Sequence, residues 1–140
     1  MKATMLYRIA SVLLIVYAAG NTFALLRFSR VAASMNPVHF PVGHRPLTYA
    51  QVVFGLWLFY ALSVLLEAYL AWHLGTLART NPQAIGALGW VLFVYQIAVV
   101  YMSSVASTGL VMVLSVVIAI CIAWASWLST GAVRAPAAAK

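Results

Sequence analysis

Acid is what this sequence lacks most. It holds no aspartate and a single glutamate, Glu67, against eight lysines and arginines, for a formal net charge of +7. Charged residues of either sign make up 6% of the chain, whereas a soluble domain is about a quarter charged. Two thirds of the residues are hydrophobic and mean hydropathy is +1.03. Such a chain has no polar face to show to water, and its expected solvent is lipid. Cysteine is nearly absent as well. Cys121 stands alone, which excludes an intrachain disulfide. It lies in an apolar run without a cation or histidine nearby, and it reads as a small hydrophobe rather than a reactive thiol.

The basic excess does not form a nucleic-acid surface. Lys2, Arg8, Arg27, Arg30, Arg45, Arg79, Arg134 and Lys140 are scattered over chain ends and loops. No basic stripe with interleaved aromatics appears. Cations placed at helix ends instead anchor in lipid headgroups, so membrane lipids are the expected partners and nucleic acid is not.

What the chain does have is long apolar runs. Four of them, about Met5 to Phe28, Thr48 to Leu74, Pro82 to Ser103 and Ser107 to Leu128, approach or exceed the ~20 residues that cross a bilayer. They are continuous rather than alternating, so helices are expected and not barrel strands. The predicted fold is all-α: one integral membrane four-helix bundle over residues 1–128, in up-down-up-down order, with a flexible tail from 129 to 140. The first run has a basic flank but no small-residue cleavage site, and it reads as a retained helix.

Boundary signals support these spans. Thr48 and Gln51 have capping-box spacing. Asn81-Pro82 reads as an N-cap with proline at the first helical position, and Gly75 as the end of the second helix. The third and fourth helices, joined by a short turn, form an expected hairpin. Prolines 37, 41 and 46 forbid a helix through the loop SRVAASMNPVHFPVGHRPL. That loop is expected to be an ordered cap over the bundle, with a short helical turn near Val31 to Met35. Basic bias sets the orientation. Termini inside leaves Lys2, Arg8, Arg79, Arg134 and Lys140 cytoplasmic, against Arg27, Arg30 and Arg45 outside, five to three. The expected location is a cell inner membrane with both termini cytoplasmic.

Glu67 is the first candidate for chemistry. An unpaired carboxylate at membrane depth costs ~3 kcal/mol or more. Protonation, pairing or snorkelling to the interface would relieve it. Leu56, Tyr60, Ser63, Glu67 and Leu74 share one helical face, which is expected to point inward. Glu67 is then largely protonated and hydrogen-bonded to tyrosine or amide groups. The competing reading has it bend toward Trp72, His73 and Arg79 at the inner surface. Gln96 belongs to a Gly89-Gln96-Ser103 stripe of seven-residue period, which fits a helix seam or a pathway wall.

Candidate ligand contacts lie farther out. Tyr17 and Asn21 share a face one turn apart, and Gly20 would admit a close helix neighbour. Asn21 either bonds across the bundle or points to a ligand below the loop. Phe54, Trp57, Phe59 and Tyr60 crowd the outer half of the second helix and would wall an apolar pocket or simply pack. His44 and Arg45 suit an anion or headgroup contact. His39 and His44 have no third ligand nearby, so no metal is expected, and no cofactor motif appears.

The segments LYRIASVLLIVYAAGNT, VHFPVG and YAQVVFGLWLFYALSVLLEAYLAWHLG resemble uncharacterised bacterial four-helix membrane proteins of the DoxX-like group. The likeness covers residues 6 to about 128 and is strongest in the first two helices. The group usually carries Gly-His-Thr where this chain has Gly20-Asn21-Thr22, so a titratable group is lost at that place. The resemblance implies a four-helix inner-membrane bundle and no particular reaction. Small multidrug exporters share only the architecture of four helices and one embedded glutamate, which they carry in the first helix.

Three functions compete. The first is a lipid-associated or accessory membrane module. The second is a membrane-embedded isomerase, cyclase or hydrolase acting on a lipid-like molecule. There Glu67 would be general acid or base, with Tyr60 and Gln96 orienting the substrate. The third is a proton-coupled exporter working as a dimer, a homo-oligomer in which Glu67 exchanges protons for an amphipathic cation. An apolar small molecule is the expected ligand in the first two. A pocket reaching Glu67 from the bilayer favours the enzyme, a water-filled cavity shared by two protomers favours transport, and a filled bundle favours the module.

Overall fold

The computed structural model describes residues 2–32, 34, 39–42, 45–85, 87–106 and 109–134. Within them lie four long helices: α1 (Ala3–Ala32), α2 (Tyr49–Thr80), α3 (Leu88–Ala106) and α4 (Leu110–Arg134). Each contains a stretch long and apolar enough to cross a membrane. A two-stranded hairpin, β1 (His39–Val42) and β2 (Arg45–Thr48), stands between α1 and α2.

The helix ends differ from their expected places for local reasons. Thr48 does cap α2: its hydroxyl accepts from the Gln51 amide, and the Gln51 side chain accepts from the Thr48 amide. Gly75 does not end α2, which runs on to Thr80. A Cβ on Gly75 would meet the Thr4 carbonyl oxygen and the Tyr7 Cβ at 3.3 Å. The glycine is there so that α1 can approach closely. Pro82 opens a 3-10 turn, Pro82–Ile85, rather than α3, which starts at Leu88. α1 continues past Phe28 to Ala32 and takes up the start of the expected short helix; Met35 lies outside the described residues. α4 extends through Arg134, well into the expected tail. Before it, Gly109 takes φ +84°, a left-handed conformation suited to glycine in a tight connection.

Two prolines of the loop stand as a pair. Pro41 faces Pro46 in the antiparallel register, flanked by Phe40 with Leu47 and Val42 with Arg45. A proline has no N–H to donate, so both fit the position where a ladder leaves residues unbonded.

α1 packs along α2 and α4, and α3 packs along α4, while α2 and α3 barely meet. The core joins Tyr7, Ala10 and Leu14 to Val64, Ala68, Ala71 and Leu74, closed by Ile118 and Ile122. Helix lengths are unequal. α1 and α2 have 30 and 32 residues, α3 and α4 have 19 and 25. At 1.5 Å per residue the first pair reach roughly 45 and 48 Å and the second roughly 28 and 38 Å. The hairpin ends of α1 and α2 therefore project beyond α3.

Candidate functional site

Polar groups enter this core in three clusters. In the first, Tyr7 of α1 bonds Ser126 of α4 at 3.0 Å. Ser126 already donates to the Ile122 carbonyl at 2.8 Å, so the tyrosine hydroxyl is the donor. Gly89 of α3 lies against both, since a Cβ there would come within 2.5 Å of the Tyr7 oxygen and 2.7 Å of the Ser126 oxygen. In the second, Tyr17 joins three helices, with its hydroxyl 2.8 Å from that of Tyr60 and 2.9 Å from Ser103. Gly89, Gln96 and Ser103 are all buried, so the seven-residue stripe is a seam.

The third cluster holds Glu67. Its side chain is 2% exposed and faces Gln96 of α3, itself 1% exposed. It does not bend toward the helix end. There Trp72 lies beneath the Arg8 guanidinium at 5.0 Å, and His73 stacks on Tyr69. Two orientations of the Gln96 amide fit the same heavy-atom positions. If the amide nitrogen faces Glu67, it donates to the two carboxyl oxygens, at 2.5 and 3.2 Å. If the amide oxygen faces Glu67, the nitrogen donates to the Ser115 carbonyl of α4 at 3.3 Å. A protonated Glu67 then supplies the other bond. A separation of 2.5 Å is ordinary for O–H···O and short for N–H···O. In the second orientation the other carboxyl oxygen lies against the Gln96 carbonyl oxygen with no proton between them. In either orientation the Glu67 carboxyl and the Gln96 amide lie within hydrogen-bonding distance and join α2 to α3.

Glu67 also borders open space. A cavity of about 310 Å³ separates α2 from α3, with Ser63, Glu67 and Tyr95 as its polar lining and leucines and Val91 as the rest. Its rim residues Leu66 and Val91 are 59% and 60% exposed. The mouth therefore opens on the flank of the bundle, and the acid sits at its base. The cavity exists because α2 and α3 are each held by another helix and not by one another.

The other candidates are dispersed. Leu56 does not join the inward face of α2: it is 66% exposed, because α2 projects past α3 at that level. Tyr60 is half-buried and bonded to Tyr17 rather than to Glu67. Asn21 bonds the Tyr17 carbonyl on its own helix, not a group across the bundle. Gly20 is exposed with nothing within 4 Å of a Cβ, so it admits no neighbour. Trp57 packs edge-on against Phe28 at 5.4 Å, while Phe54 and Phe59 are exposed. Trp57 and Asn21 thus sit on the projecting arms, away from the cleft. Arg45 is in β2, and His44 lies outside the described residues. Among the described residues no group of three or more His, Cys, Asp or Glu could hold a metal ion.

Tyr95 was not among the candidates, although it brings a hydroxyl to the Glu67 cavity. Leu88, Val91 and Tyr95 repeat at helical spacing, but the stripe of Gly89, Gln96 and Ser103 marks a different face of α3.

No family model, curated protein or solved structure matches this chain.

Proposed function

We propose that this is a multi-pass membrane protein that binds a lipid-like molecule, drawn sideways from the bilayer into the cleft between α2 and α3. The carrying observation is the position of Glu67, buried at the base of an apolar cavity whose mouth opens on the bundle flank. Many large apolar side chains are exposed around the bundle, among them Leu62, Val94, Val105 and Trp127, and lipid is the solvent that suits them. An up-down-up-down order accounts for the residue pairs: Tyr7 near Gly75 and Gly89, Tyr17 near Tyr60 and Ser103. The bias of lysine and arginine supports an inner-membrane protein with cytoplasmic termini. The likeness of its first two helices to the DoxX-like group points to the same setting.

As a module, the protein would hold its ligand without changing it. A second reading, an enzyme on the same ligand, draws on one observation: Gln96 and the Ser115 carbonyl hold the Glu67 carboxyl in a fixed direction. That is how a general acid or base is positioned. In this version Tyr95, rather than Tyr60, would orient the substrate. Export would need a cavity open to water on one side of the membrane, whereas this cleft opens on the flank of the bundle.

A bilayer-soluble fatty alcohol carrying a diazirine tests the binding site. In proteoliposomes, illumination should label residues 63–74 and 88–95 above all others. Even labelling of every exposed apolar face would remove the proposal. Lipids extracted from a deletion strain complemented with Glu67→Gln separate the two readings. A lipid that accumulates in the deletion strain and persists with the variant establishes an enzyme, and its disappearance with the variant establishes a module.

A further inference from the structure

The cleft is selective in what it offers a ligand. We infer that it takes an uncharged lipid alcohol, a long apolar molecule whose single hydroxyl donates a hydrogen bond to Glu67; this rests on the binding reading above.

The polar lining supplies acceptors. Both Glu67 carboxyl oxygens lie within hydrogen-bonding distance of the Gln96 amide, at 2.5 and 3.2 Å. A carboxyl oxygen that meets one amide keeps a further lone pair to accept with, and Glu67 lines the cavity. Ser63 spends its proton, donating to the Phe59 carbonyl at 2.9 Å, and its oxygen is left to accept. A ligand group that bonds both must be a donor. Tyr95 is the lining hydroxyl able to donate in return. An alcohol, which donates once and accepts, matches this set.

Charge excludes the alternatives. No lysine, arginine or histidine lines the cavity. A carboxylate or phosphate headgroup would be buried without a counter-ion beside an acid, and that is costly. An ammonium would need an ionised Glu67, and burying both charges in an apolar lining is costly. The remaining lining, Leu66, Leu70, Leu74, Val91 and Leu92, asks for hydrocarbon.

Competition against the diazirine alcohol in proteoliposomes is the test. The probes are hexadecanol, its methyl ether, palmitate and hexadecylamine, all with one chain length. Hexadecanol should displace the cleft label at a concentration roughly tenfold below each of the others, the ratio expected for one buried hydrogen bond or an unpaired charge. Glu67→Gln should keep hexadecanol binding, since an amide carbonyl still accepts while its nitrogen bonds Gln96. Glu67→Leu should lose it. Equal competition by the methyl ether, or a preference for palmitate or the amine, overturns the ligand class while the site stands. Absence of any cleft label overturns the site itself.

Discussion

The helix α2 has two neighbours in the bundle and treats them in opposite ways. Toward α1 it presents Ala68, Ala71 and Gly75, small residues that let the two backbones close. Ser11 adds a bond to the Ala68 carbonyl at 2.8 Å. Toward α3 it presents Ser63, Leu66, Glu67 and Leu70, and a cavity of about 310 Å³ remains between them. The sealed seam needs small side chains, and the open one needs something to hold its walls in place. In the open seam that part falls to the Glu67–Gln96 pair, which joins α2 to α3 where little packing does. In lipid, apolar contact alone gives helices little reason to prefer each other over acyl chains. One polar link can therefore set the width of a cleft.

Substitutions should separate the two seams. Gly75→Leu would break the sealed one. Its Cβ alone already meets backbone and side chain at 3.3 Å, so the expected loss is about 3 kcal/mol of stability, measured by denaturant unfolding in detergent. A smaller effect follows from Gln96→Leu, which cuts the link across the open seam and leaves the Glu67 carboxyl without its partner. The expected cost is about 1–3 kcal/mol, with wider α2–α3 distances by paired spin labels at residues 66 and 91. Unchanged distances would show that packing alone sets the cleft. Val91→Trp should move stability least, within about 0.5 kcal/mol, because the side chain is exposed. It should nevertheless fill the mouth and lower cleft labelling by the diazirine alcohol.

These seams were only partly legible in the sequence. The four apolar runs announced four helices, because a membrane-crossing length of apolar residues has few other uses. Thr48 and Gln51 marked a start correctly, since a capping box is a local device. Gly75 was misread as an end, because a glycine that admits a neighbouring helix looks the same in sequence as one that stops its own. Glu67 stood out by rarity and Gln96 by its polar stripe. Their meeting could be framed only once α2 and α3 were placed. Leu56 and Gly20 failed for other reasons. The unequal lengths of the helix pairs leave Leu56 past α3, Gly20 lies on the exposed stripe of α1 with Val12, Val16 and Phe23, and no local signal carries either. The α4 serines Ser115, Ser126 and Ser129, with Ile122 between them, are buried at near-helical spacing, a pattern the sequence already carries.

Infrared difference spectroscopy of wild type against Glu67→Gln at neutral pH tests the centre of this picture most directly. Glu67 is the only acidic side chain in the sequence, so the side-chain carboxyl difference belongs to it. A neutral acid beside Gln96 at the base of a lipid-filled cleft should give a protonated carboxyl stretch. That band should shift when hexadecanol is added and be missing from the variant. An ionised carboxylate band at neutral pH, or a protonated band indifferent to the alcohol, would contradict it.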